Sequence, residues 1–257
     1  MSLNDLSDDG EAIEPSVCPL RPAVVFAAPL PRQFFMSLRD IAFWIHSARA
    51  DAALERMQKA EGLVGAFDHL YGDSNDPWRC TAPQYRYQRL KYDKLRSYLP
   101  VQDYPTALDV GCGVGVFTRI LAECSGDVLG LDISPNAVLR ARTLSEGIDN
   151  VRYDQADVLS LGAKMAGQQF SLIALADVLY YVSPLSDEVL KGIVAQVEQL
   201  LAPGATLLVA NHYFFDLDPS SRMVSRIHAA FRWAGSLTQI REERQPFFLA
   251  TVYQKNG

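Results

Sequence analysis

The chain has no basic excess: 24 Lys and Arg stand against 30 Asp and Glu, a net charge of −6. General nucleic-acid binding usually leaves a basic footprint, so no nucleic-acid partner is expected. Cysteine is scarce. Cys18, Cys80, Cys112 and Cys124 form no Cys-x-x-Cys pair and no regular framework, which argues against disulfide scaffolding. His46, His69, His212 and His228 show no ligand spacing with one another or with the cysteines, so no metal is expected. No apolar run reaches the roughly 20 residues that span a bilayer. The short apolar patch from Ala23 to Leu30 is interrupted by Pro29 and followed by Pro31, and the start Met1-Ser2-Leu3-Asn4-Asp5 carries no positive charge run. A secretory signal and a membrane partner are therefore not expected, and a cytoplasmic location is.

What the chain does have is ordinary globular composition, 49% hydrophobic and 21% charged over 257 residues. That suffices for one sizeable core with a small appendage. Three stretches differ in pattern. Residues 1–33 hold Pro15, Pro19, Pro22, Pro29 and Pro31 in a polar context and predict an extended or disordered arm. Residues 34–105 predict an N-terminal helical cap or lid. Within it Phe34, Leu38, Ile41, Ala42, Ile45 and Ala48 recur at helical spacing in a Gly- and Pro-free run to Ala60, and a charged helix is expected over 84–98. Residues 106–257 alternate short β runs with helices, the pattern of a parallel sheet, and end in a hairpin over 237–242 and 247–253.

The junction of the first strand and the next helix reads Asp109-Val110-Gly111-Cys112-Gly113-Val114-Gly115. Glycines there allow positive φ and close approach of a ligand to the backbone. A dinucleotide fingerprint would need glycine at 116, where the chain has Val116; a phosphate-binding P-loop would need Gly-Lys-Ser/Thr, which Val116-Phe117-Thr118 does not supply. In place of a pyrophosphate grip there is an acid, Asp109, suited to a ligand bearing an ammonium group. Asp132 ends the second strand, where a carboxylate reaches ribose hydroxyls in related sheets. Asp157 follows the third and can accept from an adenine amino group. Any one of them alone would be read as a capping loop aspartate. All three at consecutive strand ends point to S-adenosylmethionine (SAM).

On these motifs residues 106–210 resemble the SAM-binding core of the class I methyltransferases. Asp76-Pro77-Trp78-Arg79, Pro83-Gln84-Tyr85 and Asp177-Val178-Leu179-Tyr180-Tyr181 are similar to the NodS-like members, from about Ala66 to Asn211. The resemblance implies a Rossmann-like three-layer α/β sandwich around a seven-stranded mixed sheet of order 3-2-1-4-5-7-6, with added N-terminal helices. It implies SAM as cofactor and S-adenosyl-L-homocysteine as product. The cofactor positions it implies are Trp78, Arg79, Asp109, Gly111, Gly113, Gly115, Asp132, Ile133, Ala156, Asp157, Val158 and Asp177. The acceptor expected is a small molecule, N- or O-directed, an amino sugar among the alternatives. A SAM-binding partner protein without activity is the competing expectation.

Transfer from a sulfonium needs alignment more than a catalytic group, so no strong catalytic motif is required. Candidates follow the fourth and fifth strands. His212 has a side chain suited to base catalysis near neutrality. Asp177 would either orient or deprotonate an amine, or cap a helix. Tyr180 and Tyr181 would line the pocket, with one of the two expected in the core. Trp78 would cover the cofactor or anchor the N-terminal segment, and Arg79 would fork onto a carboxylate. The pair Tyr87 and Lys91 has a Tyr-x-x-x-Lys spacing, but it precedes the first strand and is given no role.

Overall fold

A computed structural model describes residues 38–213, 219–245 and 247–257. The arm over 1–33 and Phe34 lie outside the described residues. Seven strands, β1 (Tyr104–Val110), β2 (Ser125–Asp132), β3 (Val151–Gln155), β4 (Phe170–Ala176), β5 (Leu201–Tyr213), β6 (Leu237–Gln245) and β7 (Phe247–Lys255), form one sheet. Its order is β3-β2-β1-β4-β5-β7-β6. The first five strands run parallel, and β7 enters antiparallel to β5 and β6. The helices are α1 (Leu38–Asp73), α2 (Arg86–Tyr98), α3 (Val116–Ala122), α4 (Pro135–Leu144), α5 (Leu161–Lys164), α6 (Asp187–Leu200) and α7 (Pro219–Arg232).

Side-chain alternation along the strands builds the three layers. Leu108, Val110, Ile173, Leu175, Leu207 and Val209 face α6 and α7, packing on Leu190, Val197, Ile227 and Phe231. Their neighbours Ala107, Leu172, Ala174 and Leu208 face α2 and α3, against Leu95, Phe117 and Leu121. A central strand buried on both sides is apolar along its buried length, which is why β4 runs Leu-Ile-Ala-Leu-Ala after the half-buried Ser171. Helix starts follow local chemistry. Ser134 Oγ accepts from Ala137 N at 3.1 Å with Pro135 at the first helical position, and Ser186 Oγ accepts from Val189 N at 3.2 Å.

Two elements differ from the sequence expectation. Helix α1 runs on through Phe67-Asp68-His69-Leu70-Tyr71-Gly72, for which no helix is predicted. It is broken at Gly62 (φ 75°, ψ 177°), a conformation glycine alone adopts cheaply. The second segment is held by the core: Asp68 Oδ1 accepts from Ser134 Oγ at 3.0 Å and from Asn136 N at 2.9 Å. The sequence predicts that Pro203-Gly204 stops the preceding helix and that a strand runs over Ala205–Ala210; strand β5 begins instead at Leu201, because Leu201 pairs with Phe170 of β4.

Candidate functional site

Strand order reverses between β1 and β4, and ligands bind at such switch points beyond the carboxyl ends of the strands. A cleft lies there, enclosing about 960 Å³ including its solvent-open mouth. It is lined by Gly111 to Val114 after β1, Asp132 and Ile133 at the end of β2, Ala156 to Val158 after β3, Asp177, Val178 and Tyr180 to Val182 after β4, and His212 on β5. The second α1 segment, the chain up to α2 and α2 itself cover it with Leu63, Phe67, Tyr71, Trp78, Cys80, Gln88 and Tyr92.

The glycine loop is built for backbone display. Gly111, Gly113 and Gly115 have φ of 74°, 52° and 75°. A Cβ on Gly113 would meet Tyr71 Oη at 2.8 Å, and one on Gly115 would meet Tyr153 Oη at 2.3 Å. Backbone conformation and protein packing thus demand these glycines, rather than collision with a ligand alone. Asp132 is 7% exposed; Oδ2 accepts from Gly113 N at 2.8 Å and Oδ1 from Ser134 N at 3.0 Å. Burial raises its carboxyl to about 6 against the lowering by these N–H groups. Asp157 caps a short turn, Oδ1 accepting from Leu159 N at 2.9 Å, while it also lines the cleft.

The other end of the cleft holds a compact polar group. Asp177 sits at φ 57°, a strained position for a side-chain-bearing residue, which keeps its carboxylate pointing at α2 and β5. Lys91 Nζ, fully buried, pairs with Oδ2, and His212 N donates to Oδ1 at 2.9 Å. The His212 ring stands 3.5 Å from the same oxygen through Nδ1 and 3.2 Å from Tyr180 Oη. Its Nε2 is buried and has no partner. Burial would raise Asp177, but Lys91, His212 and the bonds from both hold it below the usual carboxylate range. Burial, then Lys91, pushes His212 down to about 4 against the opposing pull of Asp177. The imidazole is therefore neutral at neutral pH.

Residues 103–245 match the methyltransferase-domain family. The chain belongs to that family. Its members take their methyl group from SAM. The chain is 29% identical to nodulation protein S of Bradyrhizobium diazoefficiens over 134 residues, 52% of this chain and 61% of that protein. It is 32% identical to the ubiquinone biosynthesis O-methyltransferase of Acinetobacter baumannii over 130 residues, 48% of this chain and 49% of that one. The alignment to the Bradyrhizobium relative thus spans about three-fifths of its length. Among solved structures, the N-methyltransferase NodS of Bradyrhizobium japonicum WM9 with S-adenosyl-L-homocysteine superposes at TM-score 0.60 and 19% identity. That superposition covers 82% of this chain and 99% of NodS, and shows a shared fold.

Within this methyltransferase fold the predicted residues separate. Trp78, Gly111, Gly113, Asp132, Ile133, Ala156, Asp157, Val158, Asp177, Tyr180 and His212 all line the cleft. Three do not. Asp109 is 2% exposed and lies beneath the loop, accepting from Thr118 Oγ1 at 2.6 Å, with its carboxyl raised by burial to about 7. Gly115 serves the turn into α3. Arg79 is exposed, at φ 56°, outside the cleft. Asp177 caps no helix. Both tyrosines line the cleft, correcting the expectation that one is core: Tyr181 Oη donates to Asp51 Oδ1 at 3.0 Å, beside the Trp78 Nε1 bond of 2.9 Å to the same oxygen. Trp78 both lines the cleft and anchors α1.

Sequence reasoning noted the spacing of Tyr87 and Lys91 but gave the pair no role. One helical turn apart on α2, they face the strand ends, where Tyr87 stacks on His212 with ring centroids 6.2 Å apart. The available signal was a lysine standing within the buried stripe Tyr87, Lys91, Leu95, Tyr98.

Proposed function

We propose that the chain transfers a methyl group from SAM to a small-molecule acceptor at this cleft. One observation carries the proposal: the glycine loop with Asp132 and Asp157, and the group Asp177, Tyr180 and His212, line one cleft. The donor set fits the cofactor. The two oxygens of Asp132 keep lone pairs for ribose hydroxyls, Asp157 reaches a base edge, and Ile133, Ala156 and Val158 offer apolar contact. SAM supplies, when bound, a methyl already activated on a sulfonium. The protein's part is then to hold the acceptor about 3–3.5 Å from it and to exclude water. The region over 34–105 acts as the cap doing so, over a core of residues 106–257. His212, neutral and partnered on one nitrogen only, serves as the proton acceptor, with Asp177 and Tyr180 orienting it.

A nitrogen acceptor on an amino sugar is a second reading, favoured by the similarity to nodulation protein S. Calorimetry with S-adenosyl-L-homocysteine, then turnover of SAM against amines, hydroxyls, carboxylates and glucosamine oligosaccharides, tests both. Binding with turnover on amines but not hydroxyls selects the second. Binding with no turnover on any of them would replace the enzyme by a SAM-binding partner protein.

A further inference from the structure

Lys91 lies outside the glycine loop and strand-end acids, and it does not line the cleft. A fully buried lysine is nonetheless costly, and its ammonium needs a partner. That partner is Asp177 Oδ2, 86 positions along the chain, with the Phe248 ring 5.8 Å from Nζ on the other side. The second oxygen of the same carboxylate binds the His212 backbone and faces its ring. One carboxylate therefore stands between a cation and an imidazole.

We propose that Lys91 is a positioning residue of the site: it holds the Asp177 carboxylate so that His212 stays a neutral imidazole, ready to take a proton from the methyl acceptor. This rests on the assignment of His212 as proton acceptor. The acceptor's lone pair takes up the methyl and its proton passes to Nε2. With Asp177 committed to Lys91, the ring is not drawn into a permanent imidazolium–carboxylate pair, which would leave no lone pair for the proton. The groups packed around His212 agree with this assignment. Tyr87 from α2, Tyr180 and, beyond it, Tyr181 are neutral phenols raised by burial, and Trp44 of α1 meets the ring edge-on with centroids 5.4 Å apart; Cys80, a thiol raised by burial, lies near Asp177 and Lys91. Asp51 is a further acid near Asp177, engaged by Trp78 and Tyr181.

The test is histidine NMR of the full chain, labelled at Cε1, with the His212 signal assigned by its loss in His212→Gln. In Lys91→Met the His212 midpoint is expected to move up by on the order of one pH unit, and in Lys91→Arg to stay near the parent value. Affinity for S-adenosyl-L-homocysteine is expected to be unchanged in both. Should Lys91→Met fail to fold, Lys91→Gln is read the same way, with a smaller rise. An unmoved His212 midpoint in the folded neutral variant overturns the proposal. Failure of the parent to bind S-adenosyl-L-homocysteine would instead remove the methyl-transfer function while leaving the coupling measurable.

Discussion

Gly113 and Asp132 are joined by a 2.8 Å hydrogen bond from the backbone N–H of the glycine loop to Oδ2 at the tip of β2. The two residues, 19 apart in sequence, thereby tie the loop after β1 to the carboxyl end of the neighbouring strand β2. The bond fixes the carboxylate in advance of any ligand, so binding does not have to order it.

Asp132→Ala is expected to weaken S-adenosyl-L-homocysteine binding by at least tenfold, since hydrogen bonds to a charged group contribute about 1.5–3 kcal/mol each. The parent also carries a pH signature. With the Asp132 carboxyl raised to about 6, it is protonated below that pH and loses acceptor capacity. Affinity should fall as pH drops through about 6 and be flatter in Asp132→Asn. Titration calorimetry at several pH values checks both, and a flat parent profile would count against Asp132 as the ribose ligand.

At Gly113 the obstacle to a side chain is a tyrosine hydroxyl. A Cβ would lie 2.8 Å from Tyr71 Oη, at a backbone φ of 52° that costs a side-chain-bearing residue about 1–2 kcal/mol. Gly113→Ala should therefore lose both stability and ligand affinity. Adding Tyr71→Phe removes the hydroxyl and should return part of the lost stability but none of the φ strain. Thermal melts of the parent, the single variants and the double variant form the cycle. A strictly additive result would show that Tyr71 does not contact the loop.

Asp109 gives a stability prediction with a definite sign. Folded, it keeps its proton up to about pH 7; unfolded, it loses it near 3.8. Between those values the folded chain holds more protons, so this group's contribution is fully present below 3.8 and is lost as pH rises through about 7. Asp109→Asn retains an acceptor for Thr118 and ionises at no pH. The variant should melt above the parent at pH 8, by roughly 2–4 °C for each kcal/mol gained. The gap should close toward pH 4. Since Asp109 lies outside the cleft, affinity for S-adenosyl-L-homocysteine at pH 8 should be unchanged. A loss of more than tenfold would return the residue to the ligand.

Much of this molecule is legible residue by residue. The alternation of β runs with helices, the Ser134-Pro135 start and the placement of Gly111, Gly113, Asp132 and Asp157 at strand ends all follow from local periodicity and turn chemistry. In a parallel sheet, strand ends converge by construction, so residues read one at a time fall into one cleft. Local rules failed where partners come from distant segments. The continuation of α1 past Gly62 depends on Asp68 meeting Ser134 and Asn136.

The glycine loop and the acids at consecutive strand ends were determined by the sequence alone, because each is a short-range pattern on an element of known period. Which acid faces the ligand was decided only in three dimensions. Asp132 and Asp157 reach the cleft, whereas Asp109, on the strand itself, turns beneath the loop to Thr118. The same holds for Lys91, a charged residue on a helix that precedes the sheet. Only the packing of α2 on the strand ends brings it to Asp177, across 86 residues that no local rule can bridge.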